Sequence, residues 1–397
     1  MKSRLLGVFS LALCVALAAL FSSCAEETVT RVDREKLFTL SYGRFEDEID
    51  LFQLDSNSTG PDTQIFMRDG MFYISNSGSR KILQLTSFGD LLSVYYNPDA
   101  NPAPSFALPE GETAPTDNAP ATRKAVPYPF NHPVFLSVDS AKRMFVVDQV
   151  PPDRIEYNND DQVALRDVVL LFNADGRFVD YIGQEGPGGT PFPPVTGVYS
   201  NSRNELIVIT KTQVGIKVYW FDAEGTLLFR VPVDFAALPS PYDRDKTVMP
   251  SLEKIVPDQN ARRIFLKIDY YAEMIDPATK ANAGISYDRS CVYPFNIDSG
   301  KYENFIDVPP YEGVEKNDIG TVSFKKPYEL LGITSNGWLF LTTPDADGYA
   351  LEVLDANSRR VHKRNLAVGK DELAYNVLML SNDGIISALL ATPYEAS

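Results

Sequence analysis

The chain has 397 residues, 44% of them hydrophobic and 23% charged, with a formal net charge of −16. That balance excludes wholesale disorder, collagen and coiled coil. The surplus of 53 acidic over 37 basic residues opposes sequence-independent binding to a phosphate backbone, so no nucleic-acid partner is expected.

Lys2 and Arg4 form a short basic segment, residues 5–21 are an almost unbroken apolar run, and Ser22-Ser23-Cys24 closes it with small residues. This is the anatomy of a secretory signal. At 17 residues the run lies at the lower edge of what spans a bilayer. An uncleaved anchor and a plain cleaved signal are the alternatives. Leu20-Phe21-Ser22-Ser23-Cys24 resembles the lipobox of bacterial lipoproteins, with Phe21 in place of the usual aliphatic residue. The resemblance implies cleavage before Cys24, acyl chains such as palmitate on its sulfur, and a lipid-anchored place in the bacterial cell envelope, periplasmic or surface-exposed. Cleavage leaves 35 basic residues against 53 acidic ones and Cys291 as the sole remaining unlipidated cysteine, so no internal disulfide is expected. Cys291 sits in the apolar stretch Ser290-Cys291-Val292-Tyr293-Pro294-Phe295, which predicts a buried, inert thiol.

Residues 1–23 are thus assigned to the signal and 24–36, polar and without apolar period, to a tether. From 37 to 397 the chain repeats one unit of four short strands joined by tight turns. The first copy predicts strands at 64–67, 71–74, 81–85 and 91–95. The second predicts 134–138, 144–147, 167–172 and 178–182, and the third 195–199, 205–210, 216–221 and 226–231. The fourth gives 252–256, 263–268, 290–296 and 302–308, and the fifth 328–334, 338–342, 350–354 and 361–366. A sixth copy starts with 375–380 and 385–390 and offers no convincing third strand.

Four hairpin-connected strands per unit, with almost no helical period, predict an all-β fold, a six-bladed β-propeller. Residues 36–43 resemble the fourth strand at 178–183 and are expected to close the last blade, removing an open sheet edge. The phrase from Tyr181 to Val195, Tyr-Ile-Gly-Gln-Glu-Gly-Pro-Gly-Gly-Thr-Pro-Phe-Pro-Pro-Val, is similar to the G-x-x-G...F-x-x-P phrase of NHL repeats. That resemblance implies an NHL-like propeller of the kind found in extracytoplasmic and scaffold proteins.

Insertions are read at 97–133, with nine prolines, and at 151–163, 234–250, 270–288 and 309–326. The first is expected to be too proline-rich to pack regular strands. Long loops on a rigid ring are where recognition concentrates. In a propeller the loops from second to third strand and from fourth to first share one face. The residues leaving the second strands there predict a binding rim of Asn76, Asp148, Lys211, Asp269, Tyr270, Tyr271 and Thr343, with Tyr270, Tyr271 and Lys211 as anchors.

No catalytic constellation is visible. His132 and His362 lie far apart outside metal-binding spacings, no G-x-S-x-G occurs, and Gly186-Pro187-Gly188-Gly189 reads as a blade connection. The loops containing Asp345 and Asp347 and residues 158–161 carry oxygen donors without a complete calcium pattern, so no cofactor is assigned and calcium is left open. The expectation is a non-enzymatic binding or scaffold module for a protein, peptide or glycan, held to the membrane by lipid on Cys24. The alternative is an exported propeller enzyme, a lyase or hydrolase on sugars or lactones.

Overall fold

A computed structural model of the chain describes residues 30–51, 62–107, 123–159, 162–242, 246–276, 278–317, 320–346, 348–369 and 373–397. Five sheets follow one another along the chain, each a run of antiparallel neighbours in sequence order. The third is the plainest: Val195–Ser200, Leu206–Lys211, Gly215–Phe221 and Leu227–Asp234. Its middle strands are buried on both faces because a sheet packs on either side, which is why Leu206-Ile207-Val208-Ile209 is an unbroken apolar run. Its outer strand alternates between half-buried and exposed residues, as an edge against solvent must.

The other sheets keep this plan. Thr63–Arg68, Met71–Asn76, Lys81–Thr86 and Leu91–Tyr96 make the first. Leu136–Val138, Met144–Gln149, Asp167–Phe172 and Phe178–Gly183 make the second. Met249–Pro257, Arg263–Ile275 and Asn282–Asn296 form the fourth, with Lys301–Tyr302 and Ile306–Val308 on its outer edge. Glu329–Ile333, Trp338–Asp345, Gly348–Asp355 and Val361–Ala367 form the fifth.

The sheets stand radially, with apolar clusters filling the gaps between consecutive ones: Tyr95 with Phe172, Val147 with Val208, Ile209 with Leu266, and Val256 with Leu330. First strands meet first strands, and the hairpin Tyr375–Leu380 with Ile386–Ala391 packs on Glu329–Ile333 and on Thr63–Arg68, closing the ring. The fold is a β-propeller. Among the described residues no helix is long and apolar enough to cross a membrane.

Four expectations change. Six blades were expected, the last without a convincing third strand; among the described residues five sheets of four or five strands form blades, and the last unit is a two-stranded hairpin. Ala396 bridges both Ala391 and Leu40 beside it, with Leu40 N–H donating to Ala396 O at 2.8 Å and the reverse bond at 3.0 Å. The N-terminal segment therefore reaches the last unit by one bridge and not by a full strand. The proline-rich insertion contributes regular structure: Lys124–Pro127 runs parallel to Leu91–Tyr96 as a fifth strand, and Phe130 is fully buried. An edge strand tolerates Pro127 because a missing N–H on its open side costs no ladder bond. Finally, Thr30–Val32 of the presumed tether pairs in parallel with the outer strand of the fifth sheet. Cys24 lies outside the described residues.

Candidate functional site

Because strands alternate in direction, the second-to-third and fourth-to-first connections leave every sheet from one end, here the upper face, and the remaining turns from the other. All five sequence insertions fall on upper-face connections. They contain the hairpin Glu156–Asn158 with Val163–Leu165, the extension of the fourth sheet beyond Tyr270, and the hairpin Tyr311–Asn317 with Gly320–Lys326.

The predicted rim residues are mostly inside this face and not on it. Asn76 is fully buried: its carboxamide exchanges 2.8 Å bonds with the backbone N–H and C=O of Asp50 and donates to Thr63 Oγ1 at 2.8 Å. It pins residue 50 to the first sheet. Asp148, also buried, accepts the backbone N–H of Asn131 and of His132. Burial raises its carboxyl above the usual range, against the pull of those bonds. Thr343 is buried in the fifth sheet opposite Ala350.

Tyr270 was expected as an exposed anchor, and its side chain is fully buried. Its hydroxyl donates to Pro239 O at 2.6 Å and its ring stands edge-on to Tyr242 at 6.2 Å. The reason is length: the second strand of this sheet runs to Ile275, seven residues beyond the expected end, so Tyr270 is mid-strand under Pro239 and Tyr242. Tyr271 is half-buried against Tyr287. Lys211 alone stands exposed at a strand end, its backbone N–H held by Pro194 O at 2.9 Å.

Asp269 is buried beside a residue the sequence reading passed over, the fully buried Lys267, whose Nζ lies 2.6 and 2.8 Å from the two carboxylate oxygens. Ser290 donates its hydroxyl to the same carboxylate, and Glu253 stands 3.8 Å from Nζ. A Lys-x-Asp pair at period two in the otherwise apolar stretch 264–270 is the signal that could have found it. Two more buried charges mark upper strand ends. Burial pushes the Asp167 carboxyl up to about 6, although Val195 N–H donates to it at 2.7 Å, and burial lowers the Lys81 ammonium to about 8. These groups hold strand ends in place and leave little surface for a ligand.

Chemistry needing a nucleophile is sparse among the described residues. The Cys291 thiol is buried and burial pushes it up to about 12. His132 Nε2 sits 3.0 Å from Asp62 Oδ2, both partly exposed. Asp345 accepts the Tyr311 hydroxyl at 2.9 Å and the Ala346 N–H, while Asp347 lies outside the described residues. No three His, Cys, Asp or Glu side chains among the described residues stand together as a metal site.

What the upper face does present is apolar surface on two raised hairpins. Met274, Ile275 and Ile285 are exposed on the fourth-sheet extension, Ile285 at 56%. Val314, Val322 and Phe324 are exposed on the next hairpin, Val314 at 69%. Both are isolated two-stranded arms, which alone cannot bury one face.

No protein-family model matches this sequence, and no curated protein matches it. Solved structures similar to it include the Dos1 propeller, 11% identical over 89% of this chain and 69% of that one, with a TM-score of 0.38. Others are a protein of unknown function from Bacteroides caccae, 10% identical over 78% of this chain and 75% of that one with a TM-score of 0.33, and a gluconolactonase from Xanthomonas campestris, 10% identical over 81% and 82% with a TM-score of 0.35. At such identities and scores the functional reading rests on this chain's own geometry.

Proposed function

We propose that this chain is a lipid-anchored, extracytoplasmic binding module: an NHL-like ring closed by the C-terminal hairpin and Leu40, whose upper-face arms dock a partner protein. The observation that carries the docking is the exposed apolar surface of the two arms. Met274, Ile275, Ile285, Val314, Val322 and Phe324 expose aliphatic and aromatic area that no neighbouring sheet among the described residues covers, on a face where every insertion collects. The basic segment, apolar run and Ser-Ser-Cys of residues 2–24 support the anchor.

Capture from envelope extract tests the docking. Replacing Met274, Ile275 and Ile285 with Ser is expected to abolish recovery of the partner seen with the parent chain; equal recovery from parent and variant sinks the reading. Palmitate-analogue labelling tests the anchor separately, and a Cys24→Ala chain that still carries label contradicts it.

A further inference from the structure

On the lower face arginine side chains cross between several consecutive sheets. Between the second and third sheets Arg143 binds Asp139 of its own turn at 2.6 Å and crosses to the backbone oxygens of Ala223 and Asn204. Between the third and fourth, Arg203 donates to Asn260 O at 2.8 Å while Arg262 reaches back to Glu205 at 3.0 Å. At the junction of the fourth and fifth sheets Arg263 turns into its own sheet, to Asp258 at 2.6 Å and Glu303 at 3.2 Å. Asn260 still crosses to Ser335 O at 2.6 Å and Arg359 to Phe305 O at 2.9 Å, yet a cleft of about 510 Å³ remains.

The lining of this cleft has a definite chemistry. Phe265, Ile306 and Ile333, all buried, supply an apolar floor. Three carboxamides, Asn304, Asn336 and Asn357, come from three different turns. Asn336 Oδ1 accepts the Thr334 hydroxyl at 2.6 Å, which leaves its N–H donors, and the side chains of Asn304 and Asn357 have no partner among the described residues. Gly337, at φ +86°, keeps one wall back: a Cβ there would stand 3.3 Å from Asn357 Nδ2. The lining carries two guanidinium groups, Arg263 and Arg359, and two carboxylates, Asp258 and Glu303, both bonded to Arg263, so its formal charges balance and give no strong bias toward an anion.

We propose that this cleft binds an uncharged sugar or polyol unit. A carboxamide offers a donor and an acceptor in one plane and so matches a pair of neighbouring hydroxyls, while the floor accepts the C–H face of a ring. The volume falls within the range of small-molecule sites, roughly 300–1,000 Å³. The site lies on the face opposite the arms and does not depend on their function.

Titration calorimetry of the purified chain with the methyl glycosides of glucose, galactose and N-acetylglucosamine, and with inorganic phosphate, tests it. At least one glycoside binds, phosphate does not, and the combined Asn304→Ala, Asn336→Ala and Asn357→Ala variant weakens the glycoside by about tenfold or more at an unchanged melting temperature. If that variant melts early, Asn357→Asp, which replaces two donors by an acceptor, is expected to show the same loss. Binding of no glycoside, a preference for phosphate, or a variant that folds and binds like the parent overturns the proposal.

Discussion

The two faces of the ring are built on different rules. Below, turns are short and held by their own first residue. Asp139, Asn201, Asp258, Thr334 and Ser381 each accept backbone N–H groups two to four residues on in the first-to-second turns. Thr86, Asn173, Asp222, Asn296 and Asp355 do so in the third-to-fourth turns. These are Asx and Ser/Thr turns, fixed by local chemistry. Above, turns are interrupted by insertions whose side chains find partners far away in sequence, as Tyr270 does with Pro239. The lower face sets the hairpins and the upper face is free to vary, which is where a recognition surface is most easily added.

The largest expected effect breaks the ring itself. Deleting residues 37–43 removes both Leu40–Ala396 bonds and takes Leu40 out of the cluster that joins the hairpin to the first sheet. A loss on the order of 5 kcal/mol, a large part of a typical 5–15 kcal/mol, is expected in denaturant unfolding. A chain that unfolds at the parent midpoint would show that the last unit does not need this segment.

Next comes the lower face. Glu205 is buried, which opposes its ionisation, yet bonds from Arg203, Trp220, Asn201 and Arg262 hold its carboxyl down at about 2. Glu205→Ala leaves the buried indole N–H and two partly exposed guanidinium groups without this acceptor and is expected to cost about 1–3 kcal/mol. Since the folded value is depressed, the carboxylate's contribution is complete above the ordinary pKa of 4.5 and fades as pH falls toward 2. An acid titration of stability in which the parent and Glu205→Gln run parallel contradicts this.

A smaller, oppositely signed effect belongs to the upper face. Asp167 is raised from 3.8 to about 6, so the folded state holds a proton that the unfolded chain has released. Stability from this group therefore falls as pH rises from about 4 to about 6, by on the order of 2 kcal/mol. Asp167→Asn, whose carboxamide oxygen can still accept Val195 N–H, is expected to flatten that window. The smallest expected effect on stability is at the arms. Met274, Ile275 and Ile285 changed to Ser are expected to move unfolding by no more than about 0.5 kcal/mol each. A larger shift would make the arms part of the core.

Strands were legible because the apolar runs and turn residues are local: Asp167–Phe172 is where the pattern put it, and the third sheet's four strands start within a residue of expectation. The site was less legible. Tyr270 and Asp269 look like strand-end residues until the strand is seen to continue to Ile275, and the cover over Tyr270 comes from a loop some thirty residues earlier. Asn76, likewise, reads as a polar rim residue, but its partner Asp50 lies before the first blade begins. Long-range partners leave no period in the sequence. The exposed arms carried a visible hint in Met274-Ile275 and Ile285, apolar side chains in a stretch that also holds Glu273, Asp276, Lys280 and Asn282.

Photocrosslinking in living cells compares the two faces most directly, with a photoreactive amino acid placed singly at Ile285 and Val314 above and at Glu224 and Ser299 below. The account predicts a shared crosslinked protein product from the two upper positions and none from the lower pair. Crosslinks of equal yield from both faces, or from the lower face alone, would contradict it.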